Sequence, residues 1–177
     1  MSFRNSTAAT YEATNPETVA INRKERAKIL SRILTLDAGS APPSRGGCVV
    51  VSIPADDVGC ARLRHILFLL ATYFRLVVVL SVDQSATEDE IKQLVTTIRG
   101  SDDSTLPEAV LPSHRIVAAQ SRAGRIALVR QLGTVEFVLD HDQVMKNELG
   151  RFGFKVILYG GTERQTGVSR LAAQLTF

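Results

Sequence analysis

Residues 111–159 read LPSHRIVAAQSRAGRIALVRQLGTVEFVLDHDQVMKNELGRFGFKVILY, and their rhythm decides the fold. Three short β-type runs, at 115–120, 134–139 and 154–158, alternate with two stretches long enough only for short helices, at 123–132 and 142–152. Strands joined by single helices predict βαβ units, and therefore a parallel sheet with helices on its faces. The first of these helices carries one irregularity: Arg125 falls between Val129 and Leu132 on a helical projection. Either its stem snorkels over the apolar face or its guanidinium is buried beside a carboxylate.

The same alternation extends towards the N-terminus. CVVVSI at 48–53 is an apolar run of strand length, as expected of a strand buried on both faces, and Pro54 ends it. A helix over about 58–74 places Leu63, Ile66, Leu67, Leu70 and Phe74 on one face, and 76–82 is the second strand. Ser85 or Thr87 then caps a helix, with Thr87-x-x-Glu90 as a capping box and Ile91, Leu94, Val95 and Ile98 at helical spacing. Residues 100–113, polar and interrupted by Pro107 and Pro112, read as a surface loop.

Flanking segments complete a domain plan. Residues 1–14 lack apolar periodicity and are expected to be a disordered lead-in. Residues 15–45 hold an N-terminal helix, started by Asn15, Pro16 and the Thr14-x-x-Glu17 box, and a Gly/Pro linker. Residues 46–177 form the α/β domain, which closes with a helix at about 163–174. The expected fold is a Rossmann-like three-layer sandwich with a mostly parallel five-stranded sheet and extra N-terminal and C-terminal helices.

Composition agrees with one aliphatic core: 177 residues, 45% hydrophobic, 6% aromatic and no Trp. The two cysteines, Cys48 and Cys60, have no partner at metal-ligand spacing and are read as structural thiols in a reducing compartment. No secretory signal is expected, since the first thirty residues lack an apolar core. Residues 63–82 approach the length of a membrane span, but Arg64, His65 and Arg75 point instead to a buried helix followed by a buried strand, so the chain is expected to be soluble.

The net charge of +3 is unevenly spread. Basic residues outnumber acidic ones seven to four in 1–45 and nine to five in 111–177, whereas 46–110 holds five basic and nine acidic residues. No basic stripe interleaved with aromatic rings is present, so nucleic-acid binding is not expected. The RKERAK run at 23–28 reads as a solvated helix face.

Chemistry is sought at the carboxyl ends of the strands, where open parallel sheets bind ligands. The first βα turn, PADDVG at 54–59, lacks the G-x-G-x-x-G spacing, so no dinucleotide cofactor is expected. GGTERQTG at 160–167 lacks the lysine of a P-loop and reads as a loop. Asp56, Asp57, Asp83, Asp140 and Asp142 all follow strands, and Asp56, Asp83 and Asp140 together would suit a Mg²⁺-dependent phosphatase or nuclease if they converged. Asp is equally at home in turns and helix caps. His65, His114 and His141 have no nucleophile in a catalytic motif beside them, and Ser113 next to His114 reads as a turn pair.

Residues 114–158 resemble the peroxin-22 family. The resemblance lies in the strand HRIVAAQS, the helix with Gly124-Arg125 and Val129-Arg130-Gln131-Leu132, the strand ending at Asp140, and Leu149-x-Arg151-Phe152, with a weaker likeness at 66–83 and 91–98. It implies a cofactor-free, non-catalytic Rossmann-like domain on the cytosolic face of the peroxisomal membrane. Such a domain docks peroxin-4, the ubiquitin-conjugating enzyme that modifies the import receptor so that it can be recycled. The membrane helix of the family is missing from this sequence; the anchor was removed, or attachment runs through another protein or the basic 23–28 face. Arg125, Arg130, Gln131, Asp140 and Arg151 are the candidate docking residues, since the 111–155 region is net basic and arginine favours interface pairing. The competing expectation is that Arg125, Arg130 and Arg151 pair within the domain with Asp140 or Glu148.

Overall fold

A computed structural model describes residues 47–59, 61–100 and 106–159. The expected lead-in, the 15–45 helix and linker, the 160–167 loop and the 163–174 helix lie outside the described residues, as does Cys60. The elements are β1 (Cys48–Pro54), α1 (Ala61–Tyr73), β2 (Arg75–Ser81), α2 (Glu88–Arg99), β3 (Ile116–Ala119), α3 (Arg122–Gln131), β4 (Val135–Asp140), α4 (Gln143–Arg151) and β5 (Val156–Leu158). Boundaries differ from the periodicity by a few residues. A 3₁₀ turn at Ala55–Asp57 lies within the first βα turn, α1 starts at Ala61 rather than about 58, and another 3₁₀ turn at Ser113–Arg115 leads into β3.

All five strands run parallel in the order β3-β2-β1-β4-β5. The chain therefore lays down one half of the sheet, then returns past its first strand to build the other, which is the doubly wound plan. The switch point falls between β1 and β4. The two-residue side-chain period of each strand sorts the core into two layers. Val49, Val51 and Ile53 of β1, with Leu76, Val78 and Leu80 of β2, meet Leu63, Ile66, Leu67 and Leu70 of α1 and Ile98 of α2. Cys48, Val50, Val77, Val79 and Val138 face the other way, against Val129 of α3 and Met145 and Leu149 of α4. Cys48 is a buried free thiol in that second layer.

Helix ends follow local chemistry. Thr87 caps α2 with a complete box, its hydroxyl accepting from the Glu90 amide and the Glu90 carboxylate accepting from the Thr87 amide. Ser121 caps α3 by accepting from the Gly124 amide. Helices α3 and α4 are each followed by a glycine at positive φ, Gly133 at 75° and Gly153 at 83°, where a side chain would be strained. Thr87→Ala is expected to lower stability by about 1 kcal/mol, read as a shift in urea midpoint at unchanged slope. Among the described residues no helix is long and apolar enough to cross a membrane.

Candidate functional site

Among the described residues three polar or charged side chains are buried, Ser52, Arg125 and Asp140, and they meet at the switch point. Strand parity brings two of them there. Ser52 follows Val50 by two residues and Asp140 follows Val138 by two, so both project from the carboxyl ends of β1 and β4 onto the layer covered by α3. Arg125 reaches down from α3. Its Nη1 lies 3.3 Å from the Ser52 hydroxyl and 3.5 Å from Asp140 Oδ1, and its Nη2 lies 3.2 Å from Asp142 Oδ2.

The loop after β4 tightens this arrangement. The Asp142 amide donates to Asp140 Oδ1 at 2.8 Å, while Asp142 caps α4 by accepting from the Val144 amide at 2.8 Å and receives Arg122 Nε at 3.3 Å. Tyr159, just past β5 and 1% exposed, donates its hydroxyl to the Ser52 carbonyl. One network therefore ties β1, α3, β4, the start of α4 and the end of β5. Asp140 Oδ2 and Arg125 Nε are its two buried atoms without a partner.

Burial pushes the Asp140 carboxyl above its ordinary range, against the opposing pull of the Asp142 amide, Arg125, His141 and the Ser52 hydroxyl. Asp142 is shifted down instead: burial works against its charge, but the Val144 amide, Arg122 and Arg125 together outweigh it. Burial raises Tyr159 well above its usual value, and Asp140 and Asp57 add to that, so it remains a neutral hydroxyl donor. Asp57, half-buried in the turn after β1, is also raised by burial, with His141 opposing.

The guanidinium beside the Ser52 hydroxyl cannot accept its proton, and the carboxyl that Ser52 meets, Asp140, is itself held by Arg125 and the Asp142 amide. Asp56, Asp83 and Asp140 are not gathered into a metal site. Asp56 and Asp83 are exposed in their turns, whereas Asp140 is fully buried and turned towards Arg125. Among the described residues no group of three or more His, Cys, Asp and Glu side chains is placed to hold a metal ion. The Ser113 hydroxyl donates to Glu108 at 3.0 Å rather than serving His114.

The candidate docking residues separate into three environments. Arg125 and Asp140 form the buried pair just described, so of the two readings of Arg125, burial beside a carboxylate holds. Arg130 is exposed and lies 4.3 Å from the centroid of the Phe152 ring, and Arg151 reaches Glu148 at 3.2 Å on the surface of α4. Gln131 is exposed at the far end of α3, on the rim of a cleft beside β2 and β3. Ser52 and Tyr159 are the members that sequence reasoning missed. A single polar residue inside the apolar run CVVVSI was the available signal for Ser52.

Fold and site together define a class: a doubly wound α/β domain whose switch point is filled by its own arginine. No family model matches the sequence, and neither a curated protein nor a solved structure matches it.

Proposed function

We propose that this domain is a non-catalytic adaptor that docks a ubiquitin-conjugating enzyme of the peroxin-4 type, promoting ubiquitination and recycling of the import receptor at the cytosolic face of the peroxisomal membrane. The observation that carries the non-catalytic half is the Arg125 side chain in the switch-point crevice. Doubly wound enzymes place ligands in that crevice. Here a guanidinium, two carboxylates, a serine and a tyrosine largely satisfy one another in the same place. The choice of partner rests on the resemblance of residues 114–158 to the peroxin-22 family. Membrane attachment, through a further segment, another protein or the basic 23–28 stretch, belongs to the same proposal.

The docking face we favour is the outer surface of α3 and α4. Arg130 stacks on Phe152, which is 50% exposed, and Val144 is 42% exposed on the same helix pair. Arg122 and Arg151 add positive charge at its margins. Aromatic and arginine side chains around an exposed apolar patch are the usual anchors of protein interfaces. Titration calorimetry with the peroxin-4-type enzyme of the same organism is expected to give saturable binding. The double substitution Arg130→Glu/Phe152→Ala is expected to weaken it by at least about tenfold with little change in thermal midpoint. No binding at tens of micromolar would sink the adaptor reading; full affinity in the double variant would move the interface elsewhere.

A further inference from the structure

A separate cleft opens at the opposite, amino-terminal edge of the sheet. It encloses about 410 Å³, within the range of about 300–1,000 Å³ typical of small-molecule pockets. Its floor is apolar, made by Val77 of β2, Val117 of β3, and Leu128 and Leu132 at the end of α3. Its rim is cationic, with Arg75 at the start of β2 and Arg115 just before β3; His114 is beside them, and among the described residues no carboxylate lines the space.

Strand parity places Arg75 on this face, and the 3₁₀ turn that ends at Arg115 brings the second arginine to the same cleft. Arg75 precedes Val77 by two residues and Arg115 precedes Val117 by two, and β2 and β3 pair directly through Val78 with Ile116 and Val79 with Val117. One charge therefore comes from the first residue of β2 and the other from the turn that enters its neighbour β3. Elsewhere Arg99, Arg122, Arg125 and Arg151 each meet a carboxylate, and Arg130 meets a ring. Among the described residues Arg75 and Arg115 have neither an acidic nor an aromatic partner. Two guanidinium groups lining one cleft repel each other, and each presents a planar fork suited to a carboxylate.

We infer that this cleft binds a small amphiphilic carboxylate, a short acyl or aryl acid, with its head between Arg75 and Arg115 and its apolar body along Val77, Val117 and Leu128. The charge complement argues for an anion, and the apolar floor argues against a bare one. The site is distinct from the α3–α4 docking face and does not depend on that reading.

The test is a heteronuclear NMR titration of the full 177-residue chain with octanoate, run beside acetate, which has only the head, and octanamide, which has only the body. Octanoate is expected to saturate shifts at Arg75, Val77, Val117 and Leu128 with a Kd below about 1 mM, and the other two probes to bind at least about tenfold more weakly. Arg75→Gln/Arg115→Gln is expected to weaken octanoate by about tenfold or more at unchanged thermal midpoint. The inference is overturned by absent saturation, by shifts mapping elsewhere, by octanamide or acetate matching octanoate, or by undiminished binding in the double variant. The comparison of probes uses the unaltered chain, so a variant that failed to fold would not blunt it.

Discussion

Phe137→Ala is expected to lower the free energy of unfolding by about 3–5 kcal/mol, measured by urea denaturation at 25 °C. Phe137 sits in β4 directly beside Val49 of the central strand β1, so it occupies an interior strand of the sheet, and it is 0% exposed. Its ring meets Phe74, at the end of α1, edge to face, with centroids 6.0 Å apart and planes at 78°. Truncation removes this contact and opens a void between the strands and α1, in a core whose neighbours are held by a sheet on one side and a helix on the other. Limited collapse puts the cost at the high end of large-to-small substitutions. Because such domains are stable by only about 5–15 kcal/mol, the loss is a large share of the total. Phe137→Leu should recover more than half of it, and Phe152→Ala, on the exposed face of α4, should stay within about 0.5 kcal/mol. A deficit below about 1 kcal/mol for Phe137→Ala would show that this part of the sheet is loosely packed.

How much of this was legible in the sequence depends on the range of the interaction. The capping box at Thr87 and Glu90 is four residues long and reads directly, and both of its hydrogen bonds are formed. The five strands were legible from their length and β-branched content, and the parallel, helix-covered sheet from their alternation with helices. Strand order was not. CVVVSI and LVVVLSV are apolar on both faces save for one serine each because both faces are covered, so nothing in them marks which neighbour each takes. Arg125 announced itself as a charge on an apolar helix face, yet its partners come from two separate places in the chain, Ser52 on β1 and Asp140 and Asp142 at the end of β4. The link from Tyr159 to Ser52 joins residues 107 positions apart, beyond the reach of any local pattern. Asp56, Asp83 and Asp140 looked alike as residues after strands; Asp140 is in fact the last residue of β4 and buried, whereas Asp56 and Asp83 lie exposed in turns past the ends of β1 and β2.

Arg125→Met is expected to cost about 3–5 kcal/mol, since it strands a fully buried carboxylate without its cation. Asp142 keeps Arg122 and the Val144 amide, so most of the damage falls on Asp140. The carboxyl of Asp140 is already raised by burial, and removing the guanidinium takes away one of the influences that lower it. A raised carboxyl binds its proton more tightly in the folded state, so stability falls as pH rises from the unfolded value towards the folded one. The deficit of Arg125→Met should therefore be larger at pH 7 than at pH 4.5, and Asp140→Asn in the same chain should return part of it and flatten the difference. Equal deficits at both pH values would place the cost in lost packing of the arginine stem rather than in the orphaned charge. The same pair of variants separates plug from binding site. If the guanidinium serves only to close the switch point, Arg125→Met/Asp140→Asn should fold and dock the ubiquitin-conjugating enzyme with near-normal affinity through the outer face of α3 and α4. A folded double variant that no longer docks would instead make the crevice part of the interface, with Arg125 reached from outside through Arg122 and Asp142.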